Sequence, residues 1–236
     1  MRSHIRPFLR VGIACWLLSG MILAAEPGKN PGATARRQAP RNVAVFLFDG
    51  VELLDFAGPA DVFSAAGNGY KVYTVAESTE PIVSQGFVKV VPEFSIQNCP
   101  KPDVLVIPGG NTAAPLASPE VIAWIKGVSE NTEVTMSVCT GAFILAKAGL
   151  LDGQQATTHW AQLARLRKAA PNIDVRDKVR FVDVGKIVTT AGVSAGIDGA
   201  LHVVDRLSGR STATWAANGM EYKWNRAPEP EQPAKK

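Results

Sequence analysis

Residues 134–145 read V-T-M-S-V-C-T-G-A-F-I-L, and this stretch decides the fold. Its first five residues form a short, largely β-branched run that predicts a buried strand over 134–138. Residues 142–148 have the character of a helix. Cys139 stands at the junction between the two, followed at once by Thr140 and Gly141. A strand that ends in a reactive residue and turns directly into a helix is a nucleophile elbow, which places the side chain at the carboxyl edge of the sheet.

Two interpretations of Cys139 follow from its position. The free N–H groups at the start of the next helix would face the sulfur and lower the pKa of the thiol from about 8.5, which favours the nucleophilic thiolate. Gly141 would relieve crowding where the chain turns. The alternative is a buried structural cysteine, because cysteine is among the most buried residue types.

The rest of the chain alternates between apolar runs and helical patterns. This alternation predicts an α/β fold, a three-layer αβα sandwich with a mostly parallel, flavodoxin-like sheet. Strands are expected at 42–48, 70–75 and 103–107, helices at 59–66, 118–128 and 195–207, and a hairpin at 178–190.

A second loop is expected at the same edge of the sheet. Pro108-Gly109-Gly110-Asn111 ends the strand predicted at 103–107. Adjacent glycines leave backbone N–H groups unshielded, so Gly109 and Gly110 are candidates for an oxyanion hole. An ordinary strand-ending turn is the alternative. Because ligands in open α/β sheets bind at the carboxyl edge, the combination with the elbow favours a site.

Acid–base candidates are few. His159, in A-T-T-H-W, could return to the sulfur as a partner or as a residue that orients one. His202 lies in a predicted helix and is expected to serve packing. Asp55 stands in L-L-D-F-A-G-P, where apolar neighbours should raise the pKa of its carboxyl so that it can exchange protons. A helix-capping aspartate is the equal alternative.

The termini differ from the domain between them. Arg2, Arg6 and Arg10 precede an uncharged apolar run over 11–25, the pattern of a signal peptide over 1–25. This predicts a periplasmic or secreted protein; the run is shorter than the roughly 20 residues that span a bilayer, so an uncleaved anchor is the lesser alternative. We expect a flexible linker over 26–41, one domain over 42–226 and a disordered tail over 227–236.

Charge, cysteines and histidines exclude some functions. The full chain has 25 Lys and Arg against 21 Asp and Glu, and the leader contains three of the arginines, so the mature chain is nearly neutral. This argues against a nucleic-acid partner. Cys99 precedes one predicted parallel strand and Cys139 follows the next, so the two thiols should lie at opposite ends of the sheet, too far apart for a disulfide. We predict no metal, because the histidines and cysteines do not have the spacing of metal ligands, and we predict no other cofactor.

Five motifs in order resemble the ThiJ/PfpI superfamily and its class I glutamine amidotransferase-like fold, over roughly 42–224. They are F-D-G-V-E-L-L-D-F-A-G-P-A-D-V-F, V-L-V-I-P-G-G, S-V-C-T-G-A-F, A-T-T-H-W and T-A-G-V-S-A-G-I-D-G-A-L-H. Threonine after the cysteine, with aspartate at position 55, resembles isonitrile hydratases and the amidase-like N-terminal domains of some AraC-type regulators.

The resemblance implies a mechanism and a partner. Cys139 would attack an isonitrile carbon to form a thioimidate, and Asp55 would supply and withdraw protons as water adds, releasing an N-substituted formamide. Thr140 and Gly110 would hydrogen bond to the intermediate. The resemblance also implies a homodimer acting on a small-molecule substrate. Two rival functions remain: dicarbonyl detoxification of the glyoxalase or deglycase kind, and a non-enzymatic domain that binds a small molecule or senses oxidation through Cys139.

Overall fold

The computed structural model describes residues 39–226. The predicted signal peptide (1–25), most of the predicted linker (26–41) and the predicted tail (227–236) lie outside the described residues. The strands are β1 (Arg41–Phe46), β2 (Tyr70–Ala76), β3 (Ile82–Ser84), β4 (Val88–Val90), β5 (Phe94–Ser95), β6 (Val104–Ile107), β7 (Val134–Val138), β8 (Gln155–Ala156), β9 (Asp174–Val175), β10 (Phe181–Asp183) and β11 (Ile187–Thr190). The helices are α1 (Leu53–Ala65), α2 (Ala113–Ala117), α3 (Pro119–Ser129), α4 (Gly141–Lys147), α5 (Leu163–Ala169), α6 (Ala195–Ser208) and α7 (Arg210–Gly219), with a 3₁₀ turn at Trp160–Gln162.

A seven-stranded sheet forms the centre of the molecule, in the order β10-β11-β7-β6-β1-β2-β5. All neighbouring strands in it are parallel except the β10–β11 pair. Helices α1, α6 and α7 pack together, while α2, α3 and α4 form a second group. The predicted α/β sandwich with a mostly parallel sheet is confirmed.

The central strands are buried on both faces. Every residue of β6 (V-L-V-I) and of β7 (V-T-M-S-V) is buried. Strand β6 is accordingly a continuous apolar run, whereas β7 alternates apolar residues with the small hydroxyl residues Thr135 and Ser137. Strand β7 and the hairpin β10–β11 lie where the sequence predicts them. The Ser118 side chain accepts a hydrogen bond from the Val121 N–H and so caps α3, which begins with Pro119 inside the predicted range 118–128.

The first helix departs from the prediction. It was expected at 59–66, with Pro59 near its start, but α1 begins at Leu53 and contains Pro59 in its interior. Phe56 and Gly58 are buried in the stretch before the proline. Tertiary packing therefore extends the helix over residues whose local pattern marks a boundary. This extension places Asp55 in the first turn of α1 rather than in a loop.

The chain changes direction across the sheet between β1 and β6. From β1 it moves to β2 on one side and later returns to β6 on the other. Such a switch point opens a crevice outside the carboxyl ends of the two strands, where open α/β sheets bind ligands. The loops that leave β1, β6 and β7 meet at this edge. No helix among residues 39–226 is long and apolar enough to cross a membrane.

Replacing Gly141 with alanine should destabilise the fold. A Cβ at position 141 would lie 2.1 Å from the Ile107 carbonyl oxygen, a backbone atom that cannot move aside cheaply. We expect the free energy of unfolding, measured by urea denaturation, to fall by about 3 kcal/mol. Gly127, inside α3, has open space around its Cα, so Gly127→Ala is the matched control and should raise stability by up to about 1 kcal/mol. Equal effects of the two substitutions would contradict the crowding at Gly141.

Candidate active site

Cys139 occupies a strained backbone position at the end of β7. Its φ is +56°, in the left-handed region that non-glycine residues adopt at a cost of about 1–3 kcal/mol. The Cys139 N–H donates to the carbonyl oxygens of Thr190 and Ala191, at 3.2 and 3.1 Å, and the Thr158 hydroxyl donates to the Cys139 carbonyl oxygen at 2.7 Å. These bonds from two other loops hold the elbow in place. Cys139 is 8% exposed.

Asp55 approaches the elbow from the first turn of α1. Its carboxyl is fully buried, and Oδ2 accepts the Gly109 N–H at 3.0 Å. The other oxygen, Oδ1, is buried without a hydrogen-bond partner among the described residues. Glu52, not Asp55, is the N-cap residue of α1, and no side chain caps that helix. Of the two interpretations of Asp55, the helix cap is therefore wrong.

The two pKa values at this site are both raised. Burial raises the pKa of Asp55 to about 7, although the hydrogen bond from Gly109 opposes the shift. This agrees with the prediction from its apolar surroundings. Burial, and after it the charge of Asp55, raises the pKa of the Cys139 thiol to about 12. At neutral pH the thiol is therefore protonated, and the carboxyl beside it is poised between its two forms.

The predicted lowering of the thiol pKa is wrong. That prediction rested on the N-terminus of the following helix, but α4 is only seven residues long and begins two residues after the cysteine. Desolvation and a neighbouring carboxylate both disfavour the thiolate, and together they outweigh the helix dipole. Because the resting thiol is protonated, Cys139 can react only if another group accepts its proton as the new bond to sulfur forms.

Thr140 joins the elbow to the P-G-G loop. Its hydroxyl oxygen accepts the Gly110 N–H at 2.9 Å and lies 3.1 Å from the Gly110 carbonyl oxygen, to which the hydroxyl can donate. A Cβ on Gly109 would lie 2.6 Å from the Thr140 nitrogen and 2.9 Å from Asp55 Oδ2. Only glycine permits this approach of the two loops. Because both glycine amides are engaged by Asp55 and Thr140 here, an oxyanion role for Gly109 and Gly110 stays a prediction.

His159 follows Thr158, whose hydroxyl donates to the Cys139 carbonyl oxygen. Its Nδ1 accepts the Ala161 N–H at 3.3 Å, and its ring packs against the backbone of Gly192. No hydrogen bond in the described part of the chain joins His159 to Cys139 or Asp55, so its supporting role stays a prediction. His202 pairs with Asp183 at 2.6 Å and stacks on Phe181, in keeping with the expected packing role.

The loop over residues 191–194 was not among the predicted site residues. Ala191 accepts the Cys139 N–H, and Val193 has a φ of +53°, a rare conformation for a β-branched residue. Arg180 bonds the Ser194 hydroxyl at 3.3 Å and pairs with the buried Asp198 of α6. In the sequence this loop belongs to the motif T-A-G-V-S-A-G at residues 190–196. Local patterns alone do not show that this motif lies next to Cys139.

Residues that could bind a metal or form a disulfide are few in the described region. Within residues 39–226, no group of three or more His, Cys, Asp or Glu side chains could hold a metal ion. Cys99 and Cys139 are both free thiols. Cys99 lies before the amino end of β6, whereas Cys139 follows the carboxyl end of β7, as the parallel topology predicts.

The fold and the site together define an α/β protein with a cysteine at a nucleophile elbow and a buried carboxyl beside it. The sequence profile of the DJ-1/PfpI family matches residues 41–206, and the chain belongs to that family. Isonitrile hydratase of Pseudomonas putida is 35% identical over 181 residues, which cover 76% of this chain and 78% of the relative. The crystal structure of a ThiJ/PfpI family protein from Pseudomonas syringae matches with a TM-score of 0.74 and 29% identity, over 92% of this chain and 88% of that one. The HTH-type transcriptional regulator GbdR of Pseudomonas aeruginosa is 25% identical over 76% of this chain, a match that covers 50% of the regulator.

The raised pKa of Asp55 predicts a pH dependence of stability. The folded state holds this proton up to about pH 7, while the unfolded chain releases it near its ordinary pKa of 3.8. The stability that this proton gives the folded state is therefore complete below about pH 4. It decreases as the pH rises and is lost once the pH has passed through 7. From urea denaturation between pH 4 and pH 8, we expect wild type to lose about 4 kcal/mol relative to Asp55→Asn. Parallel pH curves for the two proteins would contradict the raised pKa.

Proposed function

We propose that this protein hydrates a small isonitrile to an N-substituted formamide, with Cys139 as nucleophile and Asp55 as proton carrier. The observation that carries the proposal is the buried carboxyl of Asp55 beside the Cys139 thiol, with its pKa raised to about 7. A carboxyl with that pKa exchanges protons in both directions at neutral pH, which hydration of a carbon centre requires. The similarity to isonitrile hydratase supports the same choice of substrate.

The first step adds the thiol across the isonitrile carbon. The Asp55 carboxylate takes the thiol proton, and the sulfur forms a bond to the terminal carbon. Asp55 then gives this proton to the same carbon, so the product is a thioimidate with an N=CH–S linkage. The unpartnered Asp55 Oδ1 is the atom free to carry the proton, because Oδ2 already accepts the Gly109 N–H.

The second step adds water and releases the enzyme. Asp55 takes one proton from water as the water oxygen bonds to the thioimidate carbon, and gives this proton to the nitrogen. Asp55 then takes the remaining proton from the hydroxyl group as the C=O bond of the formamide forms and the C–S bond breaks, and it gives that second proton to the departing sulfur. One water is consumed and the thiol is restored. Thr140 would position this intermediate through its hydroxyl, which already ties the elbow to Gly110.

The test is a substrate panel in ¹⁸O-labelled water. Purified protein is incubated with n-butyl isonitrile or, separately, with methylglyoxal, and the products are identified by mass spectrometry. The proposal expects N-butylformamide with one ¹⁸O atom and little change in methylglyoxal. Turnover of methylglyoxal alone would replace it with dicarbonyl detoxification, which would use the same cysteine. Turnover of neither compound would favour a domain that binds a small molecule.

A binding domain is the second candidate, and two observations favour it. First, a thiol whose pKa is raised to about 12 is protonated at neutral pH and is therefore a poor nucleophile. Second, this chain is similar to the regulator GbdR, and the match covers 50% of the regulator's length. The same raised pKa disfavours an oxidation sensor, because oxidation requires thiolate character. Binding without turnover would distinguish this candidate from the hydratase.

We further propose that the protein is exported and acts as a homodimer. The basis for export is the basic and apolar leader over 1–25. The basis for dimerisation is the resemblance to the family. Cell fractionation with intact-mass spectrometry tests the first by locating the cleaved chain, and analytical ultracentrifugation tests the second. A full-length chain in the cytosol, or a monomer at micromolar concentration, would refute them separately.

A further inference from the structure

A cavity opens at the carboxyl edge of the sheet, above β1 and β2. Its volume is about 190 Å³. Its floor consists of buried apolar side chains, among them Phe46, Leu47, Ala76 and Val121. An apolar cavity of about 150 Å³ is large enough to bind benzene. This one therefore has room for an apolar group of that size.

The cavity is separate from the thiol site. Cys139 follows β7, whereas the cavity lies over β1 and β2, two to three strands further along the sheet. At about 4.8 Å between neighbouring strands, the two are roughly 10–14 Å apart. Neither Cys139 nor Asp55 lines the cavity. Its occupant need not be the substrate of the proposed reaction.

The charges at the cavity mouth all have the same sign. Asp49, Glu77 and Glu80 line it, and within the described residues no Lys, Arg or His joins them in the lining. Two other cavities differ in this respect: one is lined by Lys147 and Arg165, the other by Lys101. The combination of an apolar floor with a purely acidic mouth is thus particular to this cavity among the three.

Neutral groups of the protein offset part of this charge. Glu77 accepts a hydrogen bond from the Ser118 hydroxyl at 2.8 Å, and Ser118 caps α3, so the positive end of that helix stabilises Glu77. Asp49 Oδ1 accepts the Val83 N–H at 2.7 Å. In the described part of the chain, none of the three carboxylates forms an ion pair with a Lys, Arg or His. The mouth therefore retains negative charge that a cation can neutralise.

We propose that this cavity binds a small organic ammonium ion with an apolar body about the size of a benzyl group. The apolar body lies on the floor formed by β1, β2 and α3. The ammonium group lies at the mouth, where it donates hydrogen bonds to the carboxylate oxygens of Glu77, Glu80 and Asp49 that the protein leaves free. The proposal goes beyond isonitrile hydration, because it requires neither the thiol nor Asp55.

Isothermal titration calorimetry at low ionic strength tests this, with benzylammonium, benzyl alcohol and benzoate as probes of equal shape and different charge. We expect benzylammonium to bind with a dissociation constant in the millimolar range, and the neutral and anionic probes at least about tenfold more weakly. The double variant Glu77→Gln, Glu80→Gln should weaken benzylammonium binding by about tenfold. Amide shifts in ¹⁵N NMR spectra should centre on Val83 and Glu77.

The control is the double variant Glu93→Gln, Glu130→Gln, which removes two exposed carboxylates away from the cavity and should leave binding unchanged. Cys139→Ser should also bind benzylammonium as wild type does, so failure of the hydratase proposal would not affect this result. Equal binding of benzylammonium and benzyl alcohol would overturn the proposal. Tighter binding of benzoate would overturn it too, because the N-terminus of α3 would then dominate.

Discussion

Replacing Cys139 with serine is expected to lower kcat for n-butyl isonitrile by about 10³-fold or more. The proposed reaction proceeds through a covalent C–S bond, and a serine hydroxyl at this buried position is a far weaker nucleophile than a thiol. Losses of this size or larger follow removal of a nucleophile in enzymes that use covalent intermediates. Steady-state formation of N-butylformamide, measured by mass spectrometry, gives the result directly.

Cys99→Ser is the matched control for this substitution. Cys99 is half-buried and free, but it lies before the amino end of β6, at the opposite end of the sheet from the site. Its replacement should leave kcat unchanged. Intact-mass spectrometry of wild type quenched during turnover should also show an adduct with the mass of one isonitrile on Cys139. If Cys139→Ser retains kcat within tenfold of wild type, covalent catalysis by Cys139 is excluded.

Asp55→Asn should have opposite effects on turnover and on thiol reactivity. We expect kcat to fall by about 10²- to 10⁴-fold, because an amide cannot carry the proton between the thiol and the isonitrile carbon. The rate of Cys139 alkylation by iodoacetamide at pH 8 should rise instead, by roughly tenfold for each unit by which the thiol pKa falls. The reason is that the charge of Asp55 is a cause of the raised pKa of Cys139.

This pair of measurements separates proton transfer from damage to the fold. A variant with a distorted site would lose turnover without a selective rise in Cys139 alkylation, which peptide mapping measures against Cys99. Asp61→Asn, an exposed position on the same helix α1, is the control and should change neither quantity. A fall in both turnover and alkylation for Asp55→Asn would mean that Asp55 activates the resting thiol, contrary to the raised pKa values.

Local sequence patterns predicted the elements that depend on local physics. The strand over 134–138 lies where predicted because a continuous buried run has few other solutions in an α/β chain. The start of α3 follows from the Ser118 cap and the proline after it. The start of α1 could not be predicted in this way, since Pro59 marks a boundary that burial of Phe56 and Gly58 overrides.

The sequence predicted which residues lie together at the candidate site more accurately than it predicted their pKa values. Cys139, Asp55, Thr140 and the two glycines meet at one edge because the carboxyl ends of parallel strands meet there. The pKa of Asp55 was predicted correctly in direction, because burial is the largest cause of its shift. The pKa of Cys139 was not, because its largest causes are burial by other elements and a carboxyl from α1.

The amino-acid sequence by itself determined the order of the elements, the elbow at Cys139 and the edge of the sheet where the site lies. These properties depend on periodicity, turn residues and chirality, which act over a few residues at a time. Only the tertiary structure decided the direction of the Cys139 pKa shift, the size of the Asp55 pKa shift and the contacts of Gly109 and Thr140. Desolvation and charge interactions sum over every group within several ångströms, and most of those groups come from distant parts of the chain.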